Sequence, residues 1–145
     1  MKIIKISNNS FDKKFLEELI QKKKCLIAVF SKSCIHCIHM KPEWLLFKKK
    51  LNKIYSNCVL LEIDANELNN FNSNELKKNI NGYPSIIAFN KGKKIKEFNG
   101  NRTMNNMLKF FKNFIIDDKK NKTKKKFKSK KILSQENYKY FKFLT

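Results

Sequence analysis

Cys34 and Cys37 are separated by two residues in the run Ser33-Cys34-Ile35-His36-Cys37-Ile38-His39. That spacing suits thiol–disulfide exchange: a thiolate attacks a disulfide sulfur, and a second thiol one helical turn away displaces the mixed disulfide. It also suits zinc, with His36 or His39 joining the two sulfurs. Zinc is the weaker reading, because no second close ligand pair exists and residues 34, 36 and 37 do not easily surround one ion. A third reading is a vestigial pair on a fold kept for binding. Exchange is favoured by what adjoins the pair. Cys25-Leu26-Ile27-Ala28-Val29-Phe30 is an unbroken apolar run, as in a strand buried on both faces, and the stretch from about Ile35 to Leu51 is helical. A strand feeding a helix sets Cys34 at the junction, where unpaired main-chain N–H groups and the helix dipole favour a sulfur anion. Cys37 is placed to resolve. His36 adds partial positive charge or a donor, and such help to the reduced form makes the disulfide more oxidising.

The remaining elements must hold that junction in place. Ile3, Ile4 and Ile6 suggest a first strand. Ser10 reads as an N-cap before Phe11, Phe15, Leu16, Leu19 and Ile20, whose spacing is helical. Pro42 predicts a kink in the helix after the dithiol. Cys58 to Ile63 reads as another buried strand ending at Asp64, and a polar helix through Asn74 to Asn79 leads to Gly82-Tyr83-Pro84. Ser85 to Phe89 and Ile95 to Phe98 form two strands joined at Asn90-Lys91-Gly92-Lys93, a hairpin turn by composition. Met104, Met107, Leu108, Phe110, Phe111, Phe114 and Ile115 make a last helix. The order βαβαβαββα predicts an α/β domain with a central mixed sheet, helices on both faces, parallel crossovers first and an antiparallel hairpin last. Cys25 and Cys58 are expected to pack as small apolar groups rather than to pair.

The segment Cys34-Ile35-His36-Cys37-Ile38-His39-Met40-Lys41-Pro42-Glu43-Trp44 resembles the active-site helix of the thioredoxin superfamily, and is most similar to the catalytic domains of protein disulfide isomerase. Those carry Cys-Gly-His-Cys followed at the same offset by a helix-kinking proline. Leu61-Glu62-Ile63-Asp64-Ala65-Asn66, Gly82-Tyr83-Pro84-Ser85 and Asn99-Gly100-Asn101-Arg102-Thr103 sit where that family has its third strand, its cis-proline loop and the approach to its last helix. The resemblance implies the thioredoxin fold over roughly residues 1–116 and disulfide exchange with protein or peptide substrates, without a cofactor. It makes Cys34 the attacking thiol and Cys37 the resolving one. Pro84 would be cis and face the dithiol, with the Tyr83 main chain pairing to an extended peptide. Arg102, the single arginine of the chain, matches an arginine that favours the resolving thiolate, with His36 as the other supporting residue. Three positions depart from the pattern. Ser33 replaces an aromatic residue, and Ile35 replaces a small residue or proline. Ala28 stands where the family keeps a buried Asp or Glu that relays a proton to or from the resolving thiol.

The 145 residues carry 33 Lys plus Arg against 12 Asp plus Glu, a net charge of +21. Part of that excess reflects abundant Lys, Asn and Ile, as an AT-rich genome would encode. Residues 117–145 hold +8 of it and form a lysine-rich tail with an apolar, aromatic end at Ile132-Leu133 and Tyr138 to Leu144. The run Lys119 to Lys131 is expected to be solvated; its functional alternatives are non-specific, salt-sensitive attraction to nucleic acid, an anionic membrane surface or a nuclear import receptor. No apolar run approaches the ~18–20 residues of a membrane span. Lysines interrupt Met1 to Ser7, so no signal peptide is expected. The expected setting is therefore intracellular, cytoplasmic by default, or the virion if the composition reflects a large DNA virus. Within that frame the alternative to an enzyme is a thioredoxin-fold binding protein that uses the surface around Tyr83 and Pro84, attached through its basic tail to an anionic partner.

Overall fold

A computed structural model describes residues 1–8, 11–54 and 57–116. Lys2–Ile6 forms β1 and Lys13–Lys22 forms α1. The cap of α1 is Asp12, whose carboxylate accepts the Phe15 N–H at 3.0 Å. This corrects the expectation of Ser10, which lies outside the described residues. Both residue types cap well, but a carboxylate also meets the positive end of the helix dipole; Leu16 and Ile20, one turn apart, are the buried face of the helix. The apolar run becomes β2, Lys24–Phe30, in which Cys25 to Val29 have no exposed surface.

α2 spans Ile35–Leu51 and buries Cys37, Met40, Trp44, Phe47 and Leu51, a 3-4-3-4 spacing that gives it one inward stripe. It continues through Pro42. Proline costs a helix roughly 3 kcal/mol, whereas burying each large apolar side chain returns about 1.5–3 kcal/mol; the packing of Trp44, Phe47 and Leu51 outweighs the break. β3 spans Cys58–Asp64, and a 3₁₀ turn follows over Ala65–Asn70. α3 is short, Asn74–Lys78, with Ser73 accepting the Leu76 N–H. β4 is Ser85–Asn90 and β5 is Lys93–Glu97. β5 begins earlier than Ile95 and leaves Phe98 outside, because the turn is only two residues long: Lys91 and Gly92 both have positive φ, 49° and 77°. Residues 104–116 are helical and form α4.

The sheet order is β1-β3-β2-β4-β5, with β1, β3 and β2 parallel and β4 and β5 antiparallel to their neighbours. β2, apolar on both faces, therefore lies at the centre, as its composition requires. One face packs Leu16 and Ile20 of α1 and Leu76 of α3 against Cys25, Ile27, Val29, Leu61, Ile63 and Ile87. The opposite layer holds an aromatic chain. Phe30 meets Trp44 edge-on at 5.1 Å, Trp44 meets Phe47 at 5.1 Å, and Phe47 meets Phe111 of α4 edge-on at 6.3 Å. The hairpin tip docks on α1 and the residue after it, with the Gly92 N–H donating to Ile20 O at 2.9 Å and the Lys91 N–H to Lys23 O at 3.2 Å.

The chain divides into two units, Met1–Lys112 and Asn113–Thr145. All five strands and the dithiol belong to the first. Of the second, residues 113–116 are described and are helical. The lysine run Lys119 to Lys131 and the apolar end beyond it lie outside the described residues. No helix among the described residues is long and apolar enough to cross a membrane.

Candidate functional site

β2 ends at Phe30, and Ser31, Lys32 and Ser33 turn the chain so that Cys34 becomes the N-cap of α2. Its N–H donates to Ser31 O at 3.3 Å, and its carbonyl accepts the Ile38 N–H at 3.1 Å. In this position a serine or aspartate would offer oxygen to the free N–H groups of the first turn. Cys34 offers sulfur: the Cys37 N–H donates to Cys34 Sγ at 3.3 Å. The same sulfur, as a thiol, donates to Tyr83 O at 3.3 Å.

The two thiols differ in environment. Cys34 is partly exposed and Cys37 is buried. The Cys34 thiol is held below its ordinary pKa, chiefly by its hydrogen bond with the Cys37 side chain; the main-chain N–H groups of Cys37 and His36 and the Arg102 guanidinium act in the same direction, and burial opposes them. The Cys37 thiol is pushed up to about 11, first by burial and then by the hydrogen bond and charge of Cys34, against a main-chain hydrogen bond from Ser31 and the charge of Arg102. One sulfur is thus prepared to be an anion and its neighbour to keep a proton. No disulfide links Cys25, Cys34, Cys37 or Cys58.

The Tyr83–Pro84 peptide bond is cis. The loop is fixed from within, where the buried Ser85 hydroxyl donates to Gly82 O at 2.7 Å. Tyr83, Pro84 and Arg102 line a cleft of about 300 Å³ together with Met40 and Phe98. Arg102 precedes α4, whose first N–H, that of Met104, donates to the Glu43 carboxylate of α2 at 2.5 Å. His36 is solvent-exposed, and its main-chain N–H lowers the pKa of the Cys34 thiol. His39 is also exposed, and among the described residues no group of three or more His, Cys, Asp or Glu is arranged to hold a metal ion.

Sequence reasoning passed over Glu62. In the parallel pairing of β2 with β3 it lies opposite Ala28. Its Oε2 accepts from Trp44 Nε1 at 3.0 Å and from Lys48 Nζ at 2.8 Å. It lines a cleft of about 430 Å³ that also contains Cys37, Phe30, Lys41 and Trp44. The signal available in the sequence was a single charge inside the apolar run from Cys58 to Ile63.

The thioredoxin family model matches residues 2–113. Bloodstream-specific protein 2 of Trypanosoma brucei brucei is 30% identical over 100 residues, covering 68% of this chain and 18% of that protein. A protein disulfide-isomerase of Zea mays is 29% identical over 111 residues, covering 76% of this chain and 21% of that protein. The chain therefore spans about a fifth of the length of these curated relatives. Among solved structures, reduced Schistosoma mansoni thioredoxin pre-protein superposes with a TM-score of 0.56 at 23% identity, covering 79% of this chain and 100% of that one.

Proposed function

The chain belongs to the thioredoxin family, and from that premise we propose that it is a thiol–disulfide oxidoreductase acting on protein or peptide substrates. The observation that carries this reading is the pairing of an accessible, acidified Cys34, capped by the Cys37 N–H at 3.3 Å, with a buried, proton-keeping Cys37. Cys34 attacks a substrate disulfide, one substrate sulfur leaves as thiolate, and Cys37 then attacks Cys34 Sγ to release the second. The reverse sequence donates the disulfide. Tyr83 and Pro84 flank the attacking sulfur and receive an extended peptide, and His36 and Arg102 support the anion.

The direction leans to oxidation and isomerisation, because hydrogen bonds and charge that favour the reduced thiolate raise the potential. The curated relatives include a protein disulfide-isomerase, which supports the same lean. Insulin reduction with dithiothreitol, run on the wild type and on Cys34→Ser, tests the activity; identical curves would reject it. Equilibration with glutathione tests the direction. The potential is expected nearer about −180 mV, typical of isomerases, than about −270 mV, typical of reducing thioredoxins. The run Lys119 to Lys131 supports a further, electrostatic attachment to an anionic partner, to be read from the salt dependence of retention on a polyanion resin.

A further inference from the structure

Resolution requires Cys37 to lose a proton, and Ala28 offers no group to receive it. Ala28 is fully buried, and its side chain shares a sheet face with that of Glu62, its partner across β2 and β3. The carboxylate missing from one strand is therefore present on the next. Cys37, Lys41, Trp44 and Lys48 lie along one stripe of α2, at spacings of four, three and four, and Glu62 is bonded to the last two. Cys37 and Glu62 line the same cleft, whose volume of about 430 Å³ is ample for water at ~30 Å³ per molecule.

Resting on the oxidoreductase reading, we infer that Glu62 is the proton acceptor for the Cys37 thiol, reached through water in this cleft. In the mixed disulfide the Cys37 proton passes by way of water to the Glu62 carboxylate. The Cys37 sulfur attacks Cys34 Sγ, the Cys37–Cys34 bond forms, and the bond from Cys34 to the substrate sulfur breaks. The substrate leaves as thiolate with the bonding pair, and Glu62 returns the proton to it or to solvent. Both hydrogen bonds to Glu62 fall on Oε2, so Trp44 and Lys48 fix the group while Oε1 stands outside those bonds. The other charged groups lining the cleft are Lys5 on β1, Lys32 after β2, Lys41 on α2 and Asp64 on β3. Asp64 is already engaged, capping the 3₁₀ turn through the Asn66 N–H at 3.1 Å and facing Lys32 Nζ at 3.5 Å.

The test follows the two steps separately. Reduced protein is mixed with oxidised glutathione, quenched in acid and weighed by mass spectrometry, so that the glutathione adduct on Cys34 and the closed Cys34–Cys37 disulfide are counted. Glu62→Gln keeps an oxygen for Trp44 and Lys48. It is expected to form the adduct at the wild-type rate and resolve it more slowly at pH 7, on the order of 100-fold, the low end for a positioned acid–base group. The gap should narrow as pH rises toward the Cys37 value of about 11. Glu62→Asp should recover part of the rate, Ala28→Glu added to Glu62→Gln should recover more, and Asp64→Asn should resolve like wild type. Equal resolution by wild type and Glu62→Gln, or a pH-independent loss in both steps, would overturn the inference and leave the oxidoreductase reading standing. A wild type that forms no adduct would overturn that reading, and this inference with it.

Discussion

The Cys37 N–H lies 3.3 Å from Cys34 Sγ while the Cys37 thiol itself is buried. One residue thereby stabilises its neighbour's anion and withholds its own. The two sulfurs should separate widely in any measurement that counts thiolates.

In the reduced protein, iodoacetamide should modify Cys34 with a pH midpoint below that of an ordinary cysteine, whereas Cys37 should stay unmodified until the pH approaches about 11. Peptide mapping after timed alkylation at several pH values reads both. Coincident profiles would contradict the asymmetry. Cys37→Ala should raise the Cys34 midpoint, because the hydrogen bond from the Cys37 side chain is the largest influence lowering it and alanine has no donor.

Arg102→Gln should raise the pH midpoints of both sulfurs, since the guanidinium lowers each. Arg102→Lys should retain part of the effect, because it keeps the charge and loses the planar fork. The shift should shrink at high salt, as expected for charges acting partly through solvent. An unchanged Cys34 midpoint in Arg102→Gln would remove Arg102 from the site.

Burial pushes the Cys25 thiol up to about 12 from 9.0. The folded state thus favours the protonated thiol, so its contribution to stability is intact below pH 9 and is lost as pH rises toward 12. Urea midpoints taken between those limits should fall less for Cys25→Ala than for wild type, although the variant starts lower for want of volume. Parallel decline in the two proteins would contradict this assignment.

Gly92→Ala should destabilise the domain by about 1–2 kcal/mol, the strain of a side chain in the left-handed region. Gly92 has φ of 77°, and a Cβ there would overlap the Gln21 side-chain amide. Adding Gln21→Ala should recover the clash but not the strain. Denaturant midpoints of the two variants separate the parts.

Much of this architecture was legible in the sequence. The unbroken apolar run from Cys25 to Phe30 required a central strand, and the dithiol directly after it required a helix N-terminus. The Asn90 to Lys93 turn placed the hairpin, though its two-residue tip and the earlier start of β5 depend on Lys91 accepting positive φ. Ser10 and Asp12 both suit a cap by type, and the carboxylate of Asp12 has the advantage at the positive end of the helix dipole. The direction of Glu62 was illegible for a different reason. Within a strand buried on both faces, apolarity does not report which way a residue points, and only the pairing with Ala28 gives its direction. The help from the His36 main chain follows from the junction itself, because an N–H at a helix start is independent of side-chain identity.

The alternation of β3 has a further consequence. Leu61 and Ile63 belong to the cluster around Leu16 and Ile20, and Glu62 between them points the other way. A slip of one residue against β2 would exchange the two sets and drive the carboxylate into an oily layer without a donor. Strand register and the placement of Glu62 on the cleft it shares with Cys37 are therefore set by the same alternation: the shift that would move the carboxylate also unpacks Leu61 and Ile63.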